Sequence, residues 1–434
     1  MKLLGLALLA ALLPAAPASA ATSGTFSVLT YNIAGLPEGW SSGNPSKNTT
    51  PIGHRLPAYD IVHVQEDFNY HADLYAADTH PHRTPTSGGA GFGDGLNTLS
   101  DFPYSDFTRV RWSNCNGTDC LTPKGFTWSR IRLAEGVHVD FYNVHANAGT
   151  STADLAARRA NISQLSRYIA TNSAGNAVIV MGDTNTRYTR VEDNIRDLVS
   201  ANRLTDAWVR QERGGVPPAA GSPALVCDEE NVTNSCEVVD KILYRGNRFI
   251  DLRLMRYHNE NAAFVDGEGE PLSDHYPIAA WFSWSLHPGL LMSDSWGGPH
   301  GAPFTDVDRV AIGSRVTSVS LRSGSRVDQV SLAQADGAVM THGGTGGTAA
   351  SLTLGTNEYV TQVAIGSGQK DGHTRVFYLR FTTNLGRTLA GGTATANMVT
   401  YTAPPGWRLA GFHGRAGSEM DKLGLIYTPI ALVV

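Results

Sequence analysis

Short apolar runs that end at a polar residue recur along the first 280 residues of the chain, and each run predicts a β-strand. The predicted strands are 26–33, 61–64, 126–133, 138–144, 177–181, 238–244 and 278–284. Residues 79–97 are rich in glycine and predict a surface segment. The pattern therefore indicates a strand-rich region whose polar residues collect at the ends of strands.

One stretch between the predicted strands has helical spacing instead. Ser151 and Asp154 suit a capping box at its start. An apolar stripe follows at Leu155, Ile162, Leu165 and Ile169. Gly175 is expected to end this helix. Strands that alternate with a helix of this length are typical of an α/β domain.

The pattern changes near residue 286, where helical spacing almost disappears. Alternating apolar positions such as Phe377, Leu379 and Phe381, with glycine-rich turns at short spacing, predict an all-β region. A chain of 434 residues is also more consistent with two domains than with one. We therefore expect a first domain at 25–284, a linker at 285–293 and a second domain at 294–431.

The first twenty residues have the pattern of a secretory signal peptide. Lys2 precedes an apolar core at 3–13, and residues 18–20 read Ala-Ser-Ala, a typical cleavage site. The apolar run is too short to span a bilayer. Residues 1–20 are therefore predicted to be a signal peptide, and the mature protein to be secreted and extracellular.

Four cysteines in an exported chain predict two disulfides. Three pairings are compatible with four cysteines, and proximity in the sequence favours Cys115–Cys120 and Cys227–Cys236. Neither pair has the spacing of a zinc site. The bonds are expected either to pin surface loops or, for the first pair, to shape a functional site.

The charge of the chain changes this picture only slightly. A formal net charge of −5 and a sequence pI near 6.3, without a run of Lys or Arg, count mildly against a nucleic-acid specialist. The balance is not decisive, because a bound cation changes the local field.

Five polar motifs follow one another through the first region, and their residue types suit phosphodiester chemistry. The motifs are Leu29-Thr30-Tyr31-Asn32, Val64-Gln65-Glu66-Asp67, Tyr142-Asn143-Val144-His145, Met181-Gly182-Asp183-Thr184-Asn185 and Ser273-Asp274-His275. Carboxylate and amide oxygens bind hard divalent cations, and histidines transfer protons near neutral pH. The ordered set predicts a hydrolytic centre that uses a cation and an activated water.

This ordered set resembles the endonuclease/exonuclease/phosphatase superfamily over about residues 25–284. It is most similar to the bacterial neutral sphingomyelinases, through the segment from Cys115 to Phe126 and the ending Leu272-Ser273-Asp274-His275-Tyr276-Pro277-Ile278. The resemblance implies a four-layer α/β sandwich of the DNase I-like type.

Each motif residue then has an expected role. Asn32, Glu66 and Asp274 are the predicted ligands of Mg²⁺, as one cation or two. His275 is the predicted general base, and the resemblance implies that Asp240 orients it. Asp183 would align the water, while Asn185 and Lys124 would contact the phosphate. His145, in its protonated form, would stabilise the developing charge or protonate the leaving group.

The second region resembles the jacalin-like lectins over about residues 294–431. The matching segments include 298–301, 327–330, 342–347, 383–388, 411–415 and 417–427. The resemblance implies an all-β prism of three Greek-key sheets, with a carbohydrate site at the G-x-x-x-D loop from Gly417 to Asp421, assisted by the strand near Gly298. The choice between mannose and galactose stays open.

Together these features predict a secreted, Mg²⁺-dependent phosphodiesterase, sphingomyelinase-like, that a carbohydrate-binding domain directs to glycans. Its substrate would be a phospholipid headgroup or another phosphodiester, with peripheral contact to a membrane. Residues 257–272 are mostly polar and lack the aromatic-tipped hairpin of some bacterial sphingomyelinases. The alternatives are an extracellular DNase I-like endonuclease acting on nucleic acid, an inositol-phosphate phosphatase, or a non-catalytic lectin.

Overall fold

The computed structural model describes residues 21–431, so the predicted signal peptide lies outside the described residues. The first part of this range contains twelve strands and five α-helices. The strands are β1 (Ser23–Asn32), β2 (Ile61–Gln65), β3 (His82–Arg83), β4 (Asn97–Ser100), β5 (Tyr104–Arg111), β6 (Gly125–Ala134), β7 (Val137–His145), β8 (Val178–Asp183), β9 (Thr205–Asp206), β10 (Asp240–Arg245), β11 (Ile250–Asn259) and β12 (Ile278–Leu286). The helices are α1 (Pro45–Gly53), α2 (His71–Ala77), α3 (Thr152–Asn172), α4 (Ile195–Ala201) and α5 (Ala207–Glu212).

These strands form two six-stranded sheets, in the orders β11-β12-β1-β2-β4-β3 and β5-β6-β7-β8-β10-β9. Alternate residues of β1 point to opposite faces. Phe26 meets Phe141 of the second sheet, with ring centroids 6.4 Å apart, while Leu29 joins a separate apolar cluster with Ile52 of α1 and Leu74 of α2. Helix α3 buries its apolar stripe on the outer side of the second sheet. The predicted four-layer α/β sandwich is therefore confirmed.

The long helix begins as its sequence predicts. The Ser151 hydroxyl accepts a hydrogen bond from the Asp154 amide, and the Asp154 carboxylate accepts one from the Ser151 amide. Of the predicted stripe, Leu155 is only half-buried. The helix ends at Asn172, before Gly175, which adopts a φ of +74° in the turn that follows.

The glycine-rich segment differs in part from its prediction. Residues 79–97 include the short strand β3, and Asn97 is the buried first residue of β4. Pairing of β4 with β2 draws this end of the segment into the first sheet. The prediction of a surface loop was wrong there because its final residue, Asn97, begins a buried strand that continues to Ser100.

The remaining strands form three four-stranded sheets, in the orders β13-β24-β23-β14, β17-β16-β15-β18 and β21-β20-β19-β22. These strands are β13 (Leu291–Gly297), β14 (Ala302–Thr305), β15 (Val316–Ser323), β16 (Val327–Gln334), β17 (Val339–Gly343), β18 (Thr348–Thr353), β19 (Val360–Lys370), β20 (His373–Thr383), β21 (Thr388–Gly392), β22 (Asn397–Thr402), β23 (Trp407–Ala416) and β24 (Met420–Pro429). In the last two sheets a meander of three strands is followed by a fourth strand beside the first, which is a Greek key. The predicted all-β prism is confirmed, and its first sheet combines strands from both ends of the domain.

The two domains pack against each other through charged and apolar contacts. Arg132 of β6 forms an ion pair with Asp294 of β13, which also accepts a hydrogen bond from the Gly136 amide at 2.9 Å. Gly136 directly precedes β7, whose other end is His145. At roughly 3.3 Å per residue, this contact lies about 30 Å along the chain from His145. Within residues 21–431, no helix has the length and apolar character needed to cross a bilayer.

Candidate functional site

Neighbouring strands of the two sheets bring the predicted catalytic residues to one end of the sandwich. Parallel pairing of β7 with β8 places His145 opposite Asp183, and antiparallel pairing of β8 with β10 places Asp240 opposite the same residue. In the other sheet, Asn32 at the end of β1 lies opposite the last residue of β2, so that Glu66 follows at the same edge. Strand register alone therefore gathers most of the motifs.

A cluster of oxygen-bearing side chains forms where the two sheets meet. The Asn32 side-chain nitrogen lies 3.1 Å from a Glu66 carboxylate oxygen and 3.3 Å from an Asp183 carboxylate oxygen. Glu66 adopts a positive φ of 57°, a conformation uncommon outside glycine. We call Asn32, Glu66, His145, Asp183, Asp240 and His275 the polar cluster.

His275 is held by carboxylates on both of its ring nitrogens. Its Nδ1 lies 2.9 Å from Asp240 Oδ2, and its Nε2 lies 3.7 Å from Asp183 Oδ2. Burial lowers the pKa of His275, but the negative charges of Asp240 and Asp183 outweigh it and raise that pKa well above its usual value. The loop is anchored beside the cluster by Ser273, whose hydroxyl donates to the Asn32 carbonyl at 2.7 Å.

His145 has the opposite environment. Its Nε2 lies 3.0 Å from Lys124 Nζ and 3.4 Å from Asp183 Oδ2. Burial, Lys124 and His275 lower the pKa of His145 well below its usual value. This environment disfavours the protonated His145 expected from the sequence, and the role of His145 in charge stabilisation stays a prediction. The Trp112 indole fixes the backbone here by donating to the His145 carbonyl at 2.7 Å.

Asp183 stands between the two histidines and is almost completely buried. Burial raises the pKa of Asp183 to about 6, although the nearby His275 acts in the opposite direction. Its other oxygen accepts a hydrogen bond from the Asn185 amide at 2.9 Å. The Asn185 side chain in turn donates to the Ala146 carbonyl at 3.2 Å, so its predicted contact with phosphate stays a prediction.

The donor set fits a divalent cation. Asp183, Asp240 and His275 have ligand atoms that all lie within 4.8 Å of one another, and Glu66 and Asn32 face the same space. The Glu66 and Asp183 carboxylates supply hard oxygen donors of the kind that Mg²⁺ and similar ions require. The Asn32 amide oxygen accepts a hydrogen bond from the Ala34 amide at 3.1 Å, so Asn32 would have to turn its side chain to become a ligand. Because Asp240 already binds the His275 ring, the Glu66, Asn32 and Asp183 side of the cluster suits such an ion better.

Asp274 lies apart from this cluster. Its side chain is at the surface and accepts a hydrogen bond from the Ser42 hydroxyl. Because neighbouring residues of an extended loop point in different directions, His275 faces the cluster while Asp274 does not. The structure does not bring Asp274 into the group, and its role as a metal ligand stays a prediction.

The G-x-x-x-D loop of the second domain, residues 417–421, has a distinctive buried carboxylate. Asp421 Oδ1 accepts a hydrogen bond from Arg375 at 2.5 Å, whereas its buried Oδ2 has no partner among the described residues. Gly301 lies against that oxygen, since a Cβ on Gly301 would be 2.4 Å from it. Gly298 donates its backbone N–H to the Asp421 carbonyl at 2.8 Å. We call residues 417–421 the glycan loop.

Comparison with known proteins gives matches on both domains. The model of Endonuclease/Exonuclease/phosphatase family 2 matches residues 50–211, and that of the Jacalin-like lectin domain matches residues 293–426. Horcolin of Hordeum vulgare is 31% identical over 140 residues, which are 31% of this chain and 94% of that protein. The chain belongs to the jacalin-like lectin family through its second domain, and its first domain is similar to the endonuclease/exonuclease/phosphatase family over the matched residues.

Two further relatives concern the first domain. The sphingomyelinase of Mycobacterium tuberculosis is 43% identical over 269 residues, which are 60% of this chain and 53% of that protein. The chain thus spans about half the length of this curated relative. A crystal structure of sphingomyelinase C from Streptomyces griseocarneus, 20% identical, covers 59% of this chain and 99% of that one with a TM-score of 0.42.

Both disulfides of this phosphatase-like domain pair as sequence proximity favours, Cys115 with Cys120 and Cys227 with Cys236. The first bond closes a loop whose Asp119 forms an ion pair with Lys124 and accepts a hydrogen bond from the Ala148 amide at 2.7 Å. This loop therefore does more than fix a surface segment, because its Asp119 positions the Lys124 ammonium beside His145.

Sequence reasoning overlooked three supporting side chains. Trp112 and Asp119 act as described above, and Arg375 holds the carboxylate of the glycan loop. Trp112 and Arg375 lie outside the motifs, whereas Asp119 lies inside the segment from Cys115 to Phe126, and each of the three reaches its partner across a loop or between strands. Only Asp119, inside the short disulfide loop before Lys124, carried a usable signal in its opposite charge.

Proposed function

We propose that this chain is a secreted, Mg²⁺-dependent phosphodiesterase that hydrolyses a phospholipid headgroup ester, as the sphingomyelinases to which it is similar are named to do, and that its second domain binds glycans. The carrying observation is the polar cluster, in which His275 and its partner Asp240 stand beside the Glu66 and Asp183 carboxylates. The two disulfides fit an oxidising, extracellular compartment.

The residues of the cluster divide the work of hydrolysis. Asp240 binds His275 Nδ1 and leaves Nε2 facing the attacking water. A cation that offsets the charge of the nearby carboxylates would lower the pKa of His275, and the neutral ring would then accept a proton at Nε2. The water oxygen forms a bond to phosphorus while the bond to the leaving oxygen breaks. The leaving oxygen takes its proton from the Lys124–His145 pair, where the ammonium and the imidazole lie 3.0 Å apart. A cation bound by Glu66, Asn32 and Asp183 would neutralise charge on the phosphate.

An apolar surface beside the cluster favours a lipid over nucleic acid. A cavity of about 670 Å³ is lined by Leu36, Trp40 and Phe68 as well as by Glu66 and Lys124 of the catalytic end. Two large apolar side chains that line it are well exposed, Trp40 at 74% and Leu121 at 66%. Phe92, which follows the lining residue Gly91 in the chain, is 87% exposed. We call Trp40, Phe92 and Leu121 the apolar rim. Grouped exposure of this kind marks an interaction surface, and it supplies an apolar contact that residues 257–272 lack.

Glycan binding by the second domain is supported by the unpartnered Asp421 oxygen. A buried carboxylate oxygen without a hydrogen bond is unfavourable, and sugar hydroxyls would satisfy it. Gly301 and Gly417 leave the space beside this oxygen free of side chains. The glycan loop is thus suited to receive a ligand rich in hydroxyl groups.

One assay tests the catalytic proposal against its alternatives. Sphingomyelin liposomes, double-stranded DNA and an inositol polyphosphate would be incubated with the mature protein in Mg²⁺ or in EDTA. We expect phosphocholine release that requires Mg²⁺, is lost in His275→Ala and is retained in His54→Ala, a matched change at an exposed histidine. DNA cleavage with inert liposomes would establish a nuclease instead, and phosphate release from the inositol substrate alone would establish a phosphatase.

A further inference from the structure

The glycan loop touches the catalytic domain through Lys422. This residue directly follows Asp421 in β24, and its side chain crosses the domain boundary to form an ion pair with Asp106 of β5. Lys422 and Asp106 are both buried. A buried ammonium held by one carboxylate has a sharply defined position, because moving it away would leave an uncompensated charge.

A second connection reaches the opposite side of the same sugar site. The Arg415 guanidinium lies 5.2 Å from the ring centroid of Trp128, a buried residue of β6 in the catalytic domain. The same group donates to the His300 carbonyl at 3.0 Å and to the Gly301 carbonyl at 2.8 Å. Gly301 is the residue that lies against the unpartnered Asp421 oxygen.

We propose that the catalytic domain is a structural part of the glycan site, with Asp106 and Trp128 as positioning residues that act through Lys422 and Arg415. One contact holds the strand that carries Asp421, and the other holds the backbone that faces it. Together they set the width of the space beside the Asp421 carboxylate. This inference rests on the proposed binding of glycans at that loop.

Asp106 itself is built into the catalytic domain in an unusual way. It has a φ of +58° and lies where the pairing of β5 with β6 shifts register between Ser105 and Thr108. Such a bulge redirects a side chain, and here it directs the carboxylate at the neighbouring domain. Asparagine tolerates this φ better than most residues, so Asp106→Asn removes the charge while keeping both shape and backbone.

The matched control is another ion pair across the same boundary. Arg132 of β6 binds Asp294 of β13 with nitrogen–oxygen distances of 2.8 to 3.0 Å, but it has no contact with the glycan loop among those the structure describes. Arg132→Gln therefore weakens the interface without releasing Lys422 or Arg415. A difference between the two variants would therefore reflect the loss of the Lys422–Asp106 contact and not a weaker domain interface in general.

The experiment has two readouts on the full chain. Backbone hydrogen exchange would be measured at residues 298–301 and 417–421, and affinity for mannose and galactose by titration calorimetry. For Asp106→Asn we expect faster exchange in 417–421 and sugar binding weakened by about fivefold or more, the lower end of typical coupling between sites. For Arg132→Gln we expect neither. Arg415→Lys keeps the charge but loses the paired hydrogen bonds to the His300 and Gly301 carbonyls, so it should speed exchange at 298–301. This variant tests the proposal if Asp106→Asn does not fold.

Each other outcome has a defined meaning. Unchanged exchange and affinity in Asp106→Asn and Arg415→Lys would overturn the inference, and so would equal effects in Arg132→Gln. If the wild-type protein binds neither sugar, and Asp421→Ala changes nothing, the proposal of a lectin function fails. The exchange pattern would still decide whether the catalytic domain holds the loop.

Discussion

The polar cluster and the glycan loop of this molecule are assembled in different ways. The polar cluster draws on six separate segments, most of which strand register brings together at one end of two sheets. The glycan loop is a single turn between β23 and β24, with Gly301 opposite it. A site built on many strands keeps its geometry through the whole core, whereas a site built on one turn depends on what that turn leans against.

The largest expected difference between the two sites is the response to losing one side chain. His275→Ala should lower hydrolysis by about 10²- to 10⁴-fold, the usual contribution of general base catalysis, and should leave sugar affinity unchanged. Phosphocholine release and calorimetry on the same sample measure the two effects. A parallel loss of sugar binding would show that the domains do not function separately.

The reciprocal change should affect only the second domain. Asp421→Ala removes the carboxylate that the glycan would meet, and a hydrogen bond to a charged group contributes about 1.5–3 kcal/mol. We expect sugar affinity to fall about 10- to 100-fold while hydrolysis of a soluble phosphodiester is unchanged. The matched variant is Asp328→Ala, at the other G-x-x-x-D sequence of this domain. An equal loss of sugar affinity in that variant would mean that the glycan loop is not the principal sugar site.

The apolar rim should matter for one kind of substrate only. Trp40→Ser with Leu121→Ser removes two exposed apolar groups, and full burial of one such side chain contributes about 1.5–3 kcal/mol. Hydrolysis of liposomal sphingomyelin should therefore fall about tenfold or more, while hydrolysis of a water-soluble phosphodiester should not change. Val216→Ser with Val226→Ser, at other exposed positions, is the control. Equal loss on both substrates would mean that the rim supports the centre rather than the lipid contact.

Both domains should lose stability in acid for the same reason, because each contains a buried histidine. Burial lowers the pKa of His63 in the first domain and of His413 in the second to about 3. In the unfolded chain each of these histidines binds a proton near pH 6.5, whereas in the folded protein it does so only near pH 3. The free energy of unfolding is therefore highest above pH 6.5 and falls as the pH is lowered toward 3. At pH 5.5 each histidine should lower the free energy of unfolding by about 1.4 kcal/mol relative to its value well above pH 6.5.

Denaturant unfolding across pH measures this contribution. His63→Phe should flatten the loss of stability between pH 6.5 and pH 5, whereas His54→Phe at an exposed position should not. An unchanged slope in His63→Phe would show that His63 takes up its proton without unfolding.

The parts of the fold that the sequence predicts well are those set by local pattern. The capping box of Ser151 and Asp154 and the strand that ends at Asp183 need no distant partner, and both agree with the structure. The two disulfides followed from proximity alone. Burial of Asn97 at the start of β4 was missed because it depends on pairing with β2, more than thirty residues earlier.

The sites show the same limit. Strand ends and motif order predict that His145, Asp183 and His275 meet, because register brings strand ends together. The low pKa of His145 could not be foreseen, since it arises from Lys124 and from burial. Arg375 was missed because its contact with Asp421 spans 46 residues of chain. Residue type and order predict which groups take part, and packing decides their charge.

The place of β24 in its sheet has a consequence for the order of folding. This strand follows every other strand of the prism in the chain, yet it lies between β13 and β23 at the centre of the first sheet. A nascent chain that has reached only β22 can close two sheets from local pairings, while the third must wait for partners separated by more than a hundred residues. The glycan loop, which leads into β24, therefore reaches its final position only when the last strand of this domain has been made, after the segments of the polar cluster.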